Sequence, residues 1–137
     1  MPKFRDEMSK KSPYWLPKAK LRAARFYCFQ YSEWKREYRM LLGVRGASPL
    51  TGMPGGSDLS DPTERNAIKR AELSRKIELV ENTAREACSD IAEWLIMGVT
   101  NENATYEYLR VSKGIPCGKN QYYEARKRFY YLISERI

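Results

Sequence analysis

Apolar residues recur at intervals of three and four along most of this chain, and no segment reads as a strand with a two-residue alternation. From Lys18 to about Leu42 the recurring set is Leu21, Ala24, Cys28, Tyr31, Trp34, Tyr38 and Leu41, with Pro17 acceptable in the first turn. Asp61-Pro62-Thr63-Glu64 is a strong helix start, because Asp caps, Pro needs no amide donor there and Glu sits at the third position. The next stripe, Ile77, Val80, Ala84, Ala87, Ile91 and Leu95, predicts a long amphipathic helix closed by Gly98-Val99-Thr100. Ser89-Asp90 offers a second cap, so the run is either continuous or broken near 89.

Two further periodic segments, Asn103 to Ser112 and Lys119 to Arg136, flank Gly114-Ile115-Pro116-Cys117-Gly118. That pentapeptide has two glycines and an imino acid, and it resists continuation of either helix. Asn101 and Asn103 are the expected caps of the first segment, with Tyr106, Leu109 and Val111 on its inner side. The second segment places Tyr122, Ala125, Phe129, Leu132 and Ile133 on one face. Asn120, Tyr123, Lys127, Tyr130, Tyr131 and Ser134 fall on the other. The expected fold class is all-α, with a long central helix and a C-terminal helix-turn-helix. The expected organisation is a basic helical segment over 1–43, a Gly/Pro-rich linker or loop over 44–60, the long helix over 61–98 and the helix-turn-helix over 99–137.

Charge sharpens that division. The 137 residues carry a formal net charge of +8, but it is unevenly spread. Residues 1–45 hold twelve basic and four acidic side chains, residues 46–112 seven and eleven, and residues 113–137 six and two. Basic ends around an acidic middle predict a polyanionic partner held by the ends. In the N-terminal helix Lys20, Arg22, Arg25, Lys35, Arg36 and Arg39 interleave with aromatics, which suits either nucleic-acid backbone contact or a solvated basic face. In the long helix Glu72, Glu78, Glu81 and Glu86 alternate with Arg75, Lys76 and Arg85, the pattern of a solvated surface rather than of an acid–base pair.

Other chemistry is sparse. Histidine is absent, and Cys28, Cys88 and Cys117 show no paired spacing, so neither a metal site nor a cofactor is expected. The glycines of TGMPGGSD are not followed by the lysine of a phosphate-binding loop, and no nucleophile elbow occurs, so no enzyme activity or small-molecule substrate is expected. No apolar run is long enough to span a membrane and no signal segment follows the basic start, which predicts a cytoplasmic protein.

The segments QYSEWKREY, TGMPGGSDLSDPTERNAIKRAELSRKIELVENTAREA and IPCGKNQYYEARKRFYYLISER, in that order and spacing, resemble the phage RinA-type transcriptional regulators over about Tyr14 to Ile137. The resemblance implies a phage or prophage DNA-binding regulator, an activator, whose C-terminal helix-turn-helix is similar to the promoter-reading part of bacterial sigma factors. It implies that 118–128 enters the major groove, that Ile115-Pro116 sets the preceding turn, and that RNA polymerase is a further partner in a bacterial host cell. On the residues themselves, Asn120, Tyr123 and Lys127 are the expected base contacts, and Lys113, Lys119, Arg126 and Arg128 the expected phosphate contacts on double-stranded DNA. The alternative is a small-terminase-like packaging protein that oligomerises through 61–98. Oligomeric state separates the two.

Overall fold

The computed structural model describes residues 11–47 and 62–137. All regular structure there is helical: α1 (Lys18–Cys28), α2 (Tyr31–Ala47), α3 (Pro62–Ala87), α4 (Ala92–Thr100), α5 (Tyr106–Lys113) and α6 (Lys119–Ser134), with one 3-10 turn at Ser89–Ile91. The protein is therefore all-α, with a long central helix in α3. Most of the Gly/Pro-rich linker expected over 44–60, the Asp61 cap and the first ten residues lie outside the described residues. Residues 44–47, expected to begin that linker, instead extend α2. No helix of the described residues is long and apolar enough to cross a membrane.

The single helical run expected from Lys18 is two helices. α1 ends where the Phe29 amide returns to the Arg25 carbonyl and Gln30 to Tyr27. The buried series Cys28, Tyr31, Trp34 keeps its three-residue spacing through the break, so periodicity alone does not reveal it. Of the two readings left open near 89, the structure has the broken one. Cys88 is extended (φ −166°, ψ 101°), and no side chain caps either the 3-10 turn or α4. The first C-terminal helix starts later than expected, at Tyr106, because Thr105 rather than an asparagine caps it: Thr105 Oγ1 accepts from the Tyr108 amide at 3.2 Å.

The chain divides into two compact units, Met1–Tyr31 with Leu79–Ile137, and Ser32–Glu78. In the first, α1 packs on α6 and α4, and α4 on α5 and α6. Leu21, Cys28, Val80, Thr83, Ile91, Leu95, Val99, Leu109, Tyr122, Phe129 and Ile133 are almost wholly removed from water. Burying a large apolar side chain contributes roughly 1.5–3 kcal/mol, which makes this cluster the main source of stability. At its margin the Tyr31 hydroxyl donates to the Glu81 carboxylate. Burial, reinforced by that carboxylate, pushes the Tyr31 phenol well above its ordinary range.

Polar ties hold the C-terminal chain in place. The Arg136 guanidinium grips the Glu86 carboxylate at 2.7 and 3.0 Å and donates to the buried Thr83 hydroxyl at 3.1 Å. In the second unit Trp34 and Leu73 are buried, Lys76 stands over the Trp34 ring at 5.6 Å, and Lys69 pairs with Glu37 at 3.1 Å. Met40, Leu42 and Ile68 are exposed on α2 and α3.

Candidate nucleic-acid interface

The five residues between α5 and α6 are fixed from both sides. Gly114 adopts the left-handed conformation (φ 66°, ψ 40°), where a Cβ would be strained, and this ends α5. The Ile115 amide turns back to the Leu109 carbonyl at 3.1 Å, and the Ile115 side chain is buried. From α4, Trp94 Nε1 donates to the Lys113 carbonyl at 2.8 Å. From the start of α5, the Tyr106 hydroxyl donates to the Cys117 carbonyl at 2.7 Å. Gly118 then leaves the turn in an extended conformation, and its carbonyl accepts from the Tyr122 amide as α6 begins.

Packing sets the rotation of α6. Tyr122, Ala125, Phe129, Tyr130 and Ile133 face inward. Tyr122 approaches α4 so closely that a Cβ built on Gly98 would lie 1.9 Å from its hydroxyl oxygen. Tyr130, expected on the outer face, is only 2 % exposed, while Leu132, expected inside, is half-buried. The reason is α1, which packs along α6 and widens the buried arc on that side. Burial holds the Tyr130 phenol well above its usual range, with the Arg126 and Arg25 guanidinium groups pulling the other way. Val111, expected inside, is 69 % exposed, because only Tyr106 and Leu109 of α5 are buried.

The residues expected to touch DNA divide into four groups. Asn120 and Lys119 are exposed and Lys127 half-exposed, and helical geometry places Asn120 and Lys127 on nearly one line, about 10 Å apart along the axis. Tyr123 and Arg126 form one flank: the Arg126 guanidinium lies 4.7 Å from the Tyr123 ring centre and 5.9 Å from that of Tyr122. These two border a cleft of about 70 Å³ that Arg25, Phe29, Asn101 and Thr105 also line. Arg128 is about 200° around the helix from Arg126, on the flank towards Glu86. Arg126 and Arg128 therefore do not form one patch. Lys113 is exposed at the end of α5, its ammonium 5.9 Å from the Tyr108 ring centre.

Gln121 and Glu124 share the outward arc of α6 with Asn120 and Lys127, and neither is singled out by the sequence reading. Their positions on the helical wheel are the available signal. Among the described residues the side chains of Asn120, Gln121, Glu124 and Lys127 make no hydrogen bond or ion pair within the chain. Some surface charges elsewhere are engaged: Arg110 pairs with Glu107 at 2.6 Å, and Arg136 with Glu86.

Other chemistry is weakly provided for. No group of three metal-ligating side chains occurs among the described residues. Burial pushes the Cys28 thiol up to about 12, and burial together with nearby Cys88 raises that of Cys117, so neither is a ready thiolate near neutrality. Comparison with known proteins gives no matching family model, no matching curated protein and no matching solved structure.

Proposed function

We propose that the protein is a sequence-specific DNA-binding regulator in which α5, the Gly114–Gly118 turn and α6 act as a helix-turn-helix, with α6 in the major groove. The observation that carries this reading is the outward arc of α6. Asn120, Gln121, Glu124 and Lys127 form a continuous polar surface with no internal side-chain partner among the described residues, on a helix held rigid by its opposite face. Unengaged donors and acceptors on a preorganised helix are what base-edge recognition needs, since nothing within the protein must be broken first. Asn120 and Lys127 serve as base readers, and Tyr123 lies beside them, close to a thymine methyl or sugar. Lys113, Lys119, Arg126 and Arg128 reach phosphates on the two sides of the groove, which suits the separation of the two arginines around α6.

The RinA-type resemblance gives this reading its biological setting: a phage or prophage activator acting on double-stranded DNA in the bacterial cytoplasm, with RNA polymerase as a further partner. A homo-oligomer formed through 61–98 belongs to the same proposal. The test is selection of duplexes from a random pool by the full chain, followed by affinity measurement across a salt series. The expected result is one enriched sequence and a log–log salt slope that falls by about 0.9 for each phosphate contact removed by substitution. Equal affinity for enriched and random duplexes would remove sequence reading. Salt-independent binding would remove the phosphate contacts.

A further inference from the structure

Glu124 is an acid in the middle of the surface that faces DNA in the proposed function. It lies four residues after Asn120, three before Lys127 and four before Arg128. A glutamate four positions before an arginine is well placed for an ion pair along a helix. No such pair forms here: Glu124 is exposed, and its carboxylate has no hydrogen bond or ion pair among the described residues. Its charge is thus not used to organise α6.

A free carboxylate on this surface is repelled by phosphates, so a merely tolerated acid would weaken every complex. It becomes favourable only where it meets hydrogen-bond donors. A carboxylate accepts and does not donate. The donors on the floor of the major groove are the amino groups of cytosine N4 and adenine N6, and N6 is flanked by the acceptor N7, which opposes a second negative oxygen. Cytosine N4 has a C–H on one side and guanine O6 on the other, whereas adenine N6 lies between two acceptors, its own N7 and thymine O4. Asn120 and Glu124 are about 6 Å apart along the axis and differ by about 40° in direction, so they address base pairs one to two steps apart.

We infer that Glu124 is a specificity-determining residue that accepts a hydrogen bond from the N4 amino group of a cytosine beside the base pair read by Asn120. The inference rests on the DNA-reading function proposed above. The carboxylate then acts twice. It rewards a C·G pair at one position, and it penalises complexes in which α6 rests on phosphates without reaching the bases.

The test uses the full chain, selection from a randomised duplex pool and competition binding at fixed salt, with the parent, Glu124→Gln and Glu124→Ala. The parent is expected to select a C·G pair one to two steps from an A·T pair. Glu124→Gln exchanges an acceptor for a donor–acceptor pair suited to adenine, so preference at that single position should move from C·G towards A·T by about tenfold, with other positions unchanged. Glu124→Ala should raise affinity for random duplex and flatten the preference at the same position. A parent that selects a sharp sequence, with both variants shifting all duplexes equally, would overturn the cytosine assignment alone and leave the proposed function standing. A parent that selects no sequence would overturn both.

Discussion

The two faces of α6 obey different rules. The inward face is explained by the rest of the chain: Tyr122 meets α4 at Gly98, Phe129 is fully buried, and Tyr130 is covered on the side where α1 packs. The outward face is not, since the side chains of Asn120, Gln121, Glu124 and Lys127 have no partner among the described residues. Substitutions inside should change stability and leave nothing specific to binding. Substitutions outside should do the reverse. A residue that behaved like the opposite face would break the comparison.

The largest effect is expected from Phe129→Ala. Truncating a fully buried aromatic typically costs about 3–5 kcal/mol, a large share of what holds a small unit together. Thermal unfolding of the variant should move down by many degrees, and any loss of DNA binding should track the loss of fold. An unchanged midpoint would mean that the inward face is not the source of stability.

Gly98→Ala ranks second and tests the α4–α6 contact specifically. The added methyl would sit 1.9 Å from the Tyr122 hydroxyl oxygen, so the ring or the helix must move. Overpacking of this kind typically costs about 1–3 kcal/mol. The double variant Gly98→Ala, Tyr122→Phe removes the clashing oxygen and should recover part of that loss in thermal unfolding. Failure to recover would place the strain elsewhere.

These two positions are unequally legible in the sequence. Phe129 stands out because it lies in a three/four stripe with Tyr122, Ala125 and Ile133. Gly98 reads only as a helix terminator, since its role depends on a residue 24 positions later in the chain. The same limit hides the burial of Tyr130, whose wheel position is at the edge of the stripe until α1 is present to cover it. The break at Phe29–Gln30 is invisible for another reason: it contains no glycine or proline, and the buried spacing runs through it. The turn at Gly114–Gly118 is readable because its residue types are local determinants of backbone conformation. Glu124 is readable by wheel position, yet the net positive charge of its segment points to the cations around it instead.

On the outer face, Asn120→Ala should cost about 1–3 kcal/mol on the selected site and little on random duplex. Its thermal midpoint should stay at the parent value, because the side-chain amide has no internal partner among the described residues to lose. A midpoint that falls with binding would show Asn120 to be part of the fold.

The smallest expected effect is the acid dependence of the Arg136–Glu86 tie, which is a surface pair engaged within the chain and therefore a control for the outward arc. The Arg136 hydrogen bonds, with a lesser contribution from the Arg128 charge, hold the Glu86 carboxyl below its ordinary value. A depressed carboxyl stabilises the folded state at pH above its unfolded value of about 4.3, and that contribution is lost as pH falls through the folded value. Glu86→Gln cannot ionise, so the parent should unfold at a slightly higher temperature at pH 7, and the difference should close in acid, below the folded value. Because the pair is exposed, salt should shrink the difference at pH 7 as well. Affinity of the variant for the selected duplex should match the parent, since Glu86 is on α3 and not on the outward arc. A gap in stability that persists in acid would mean the carboxylate charge is not what Arg136 holds. A change in base preference would mean that the flank of α6 near Glu86, where Arg128 sits, also takes part in reading.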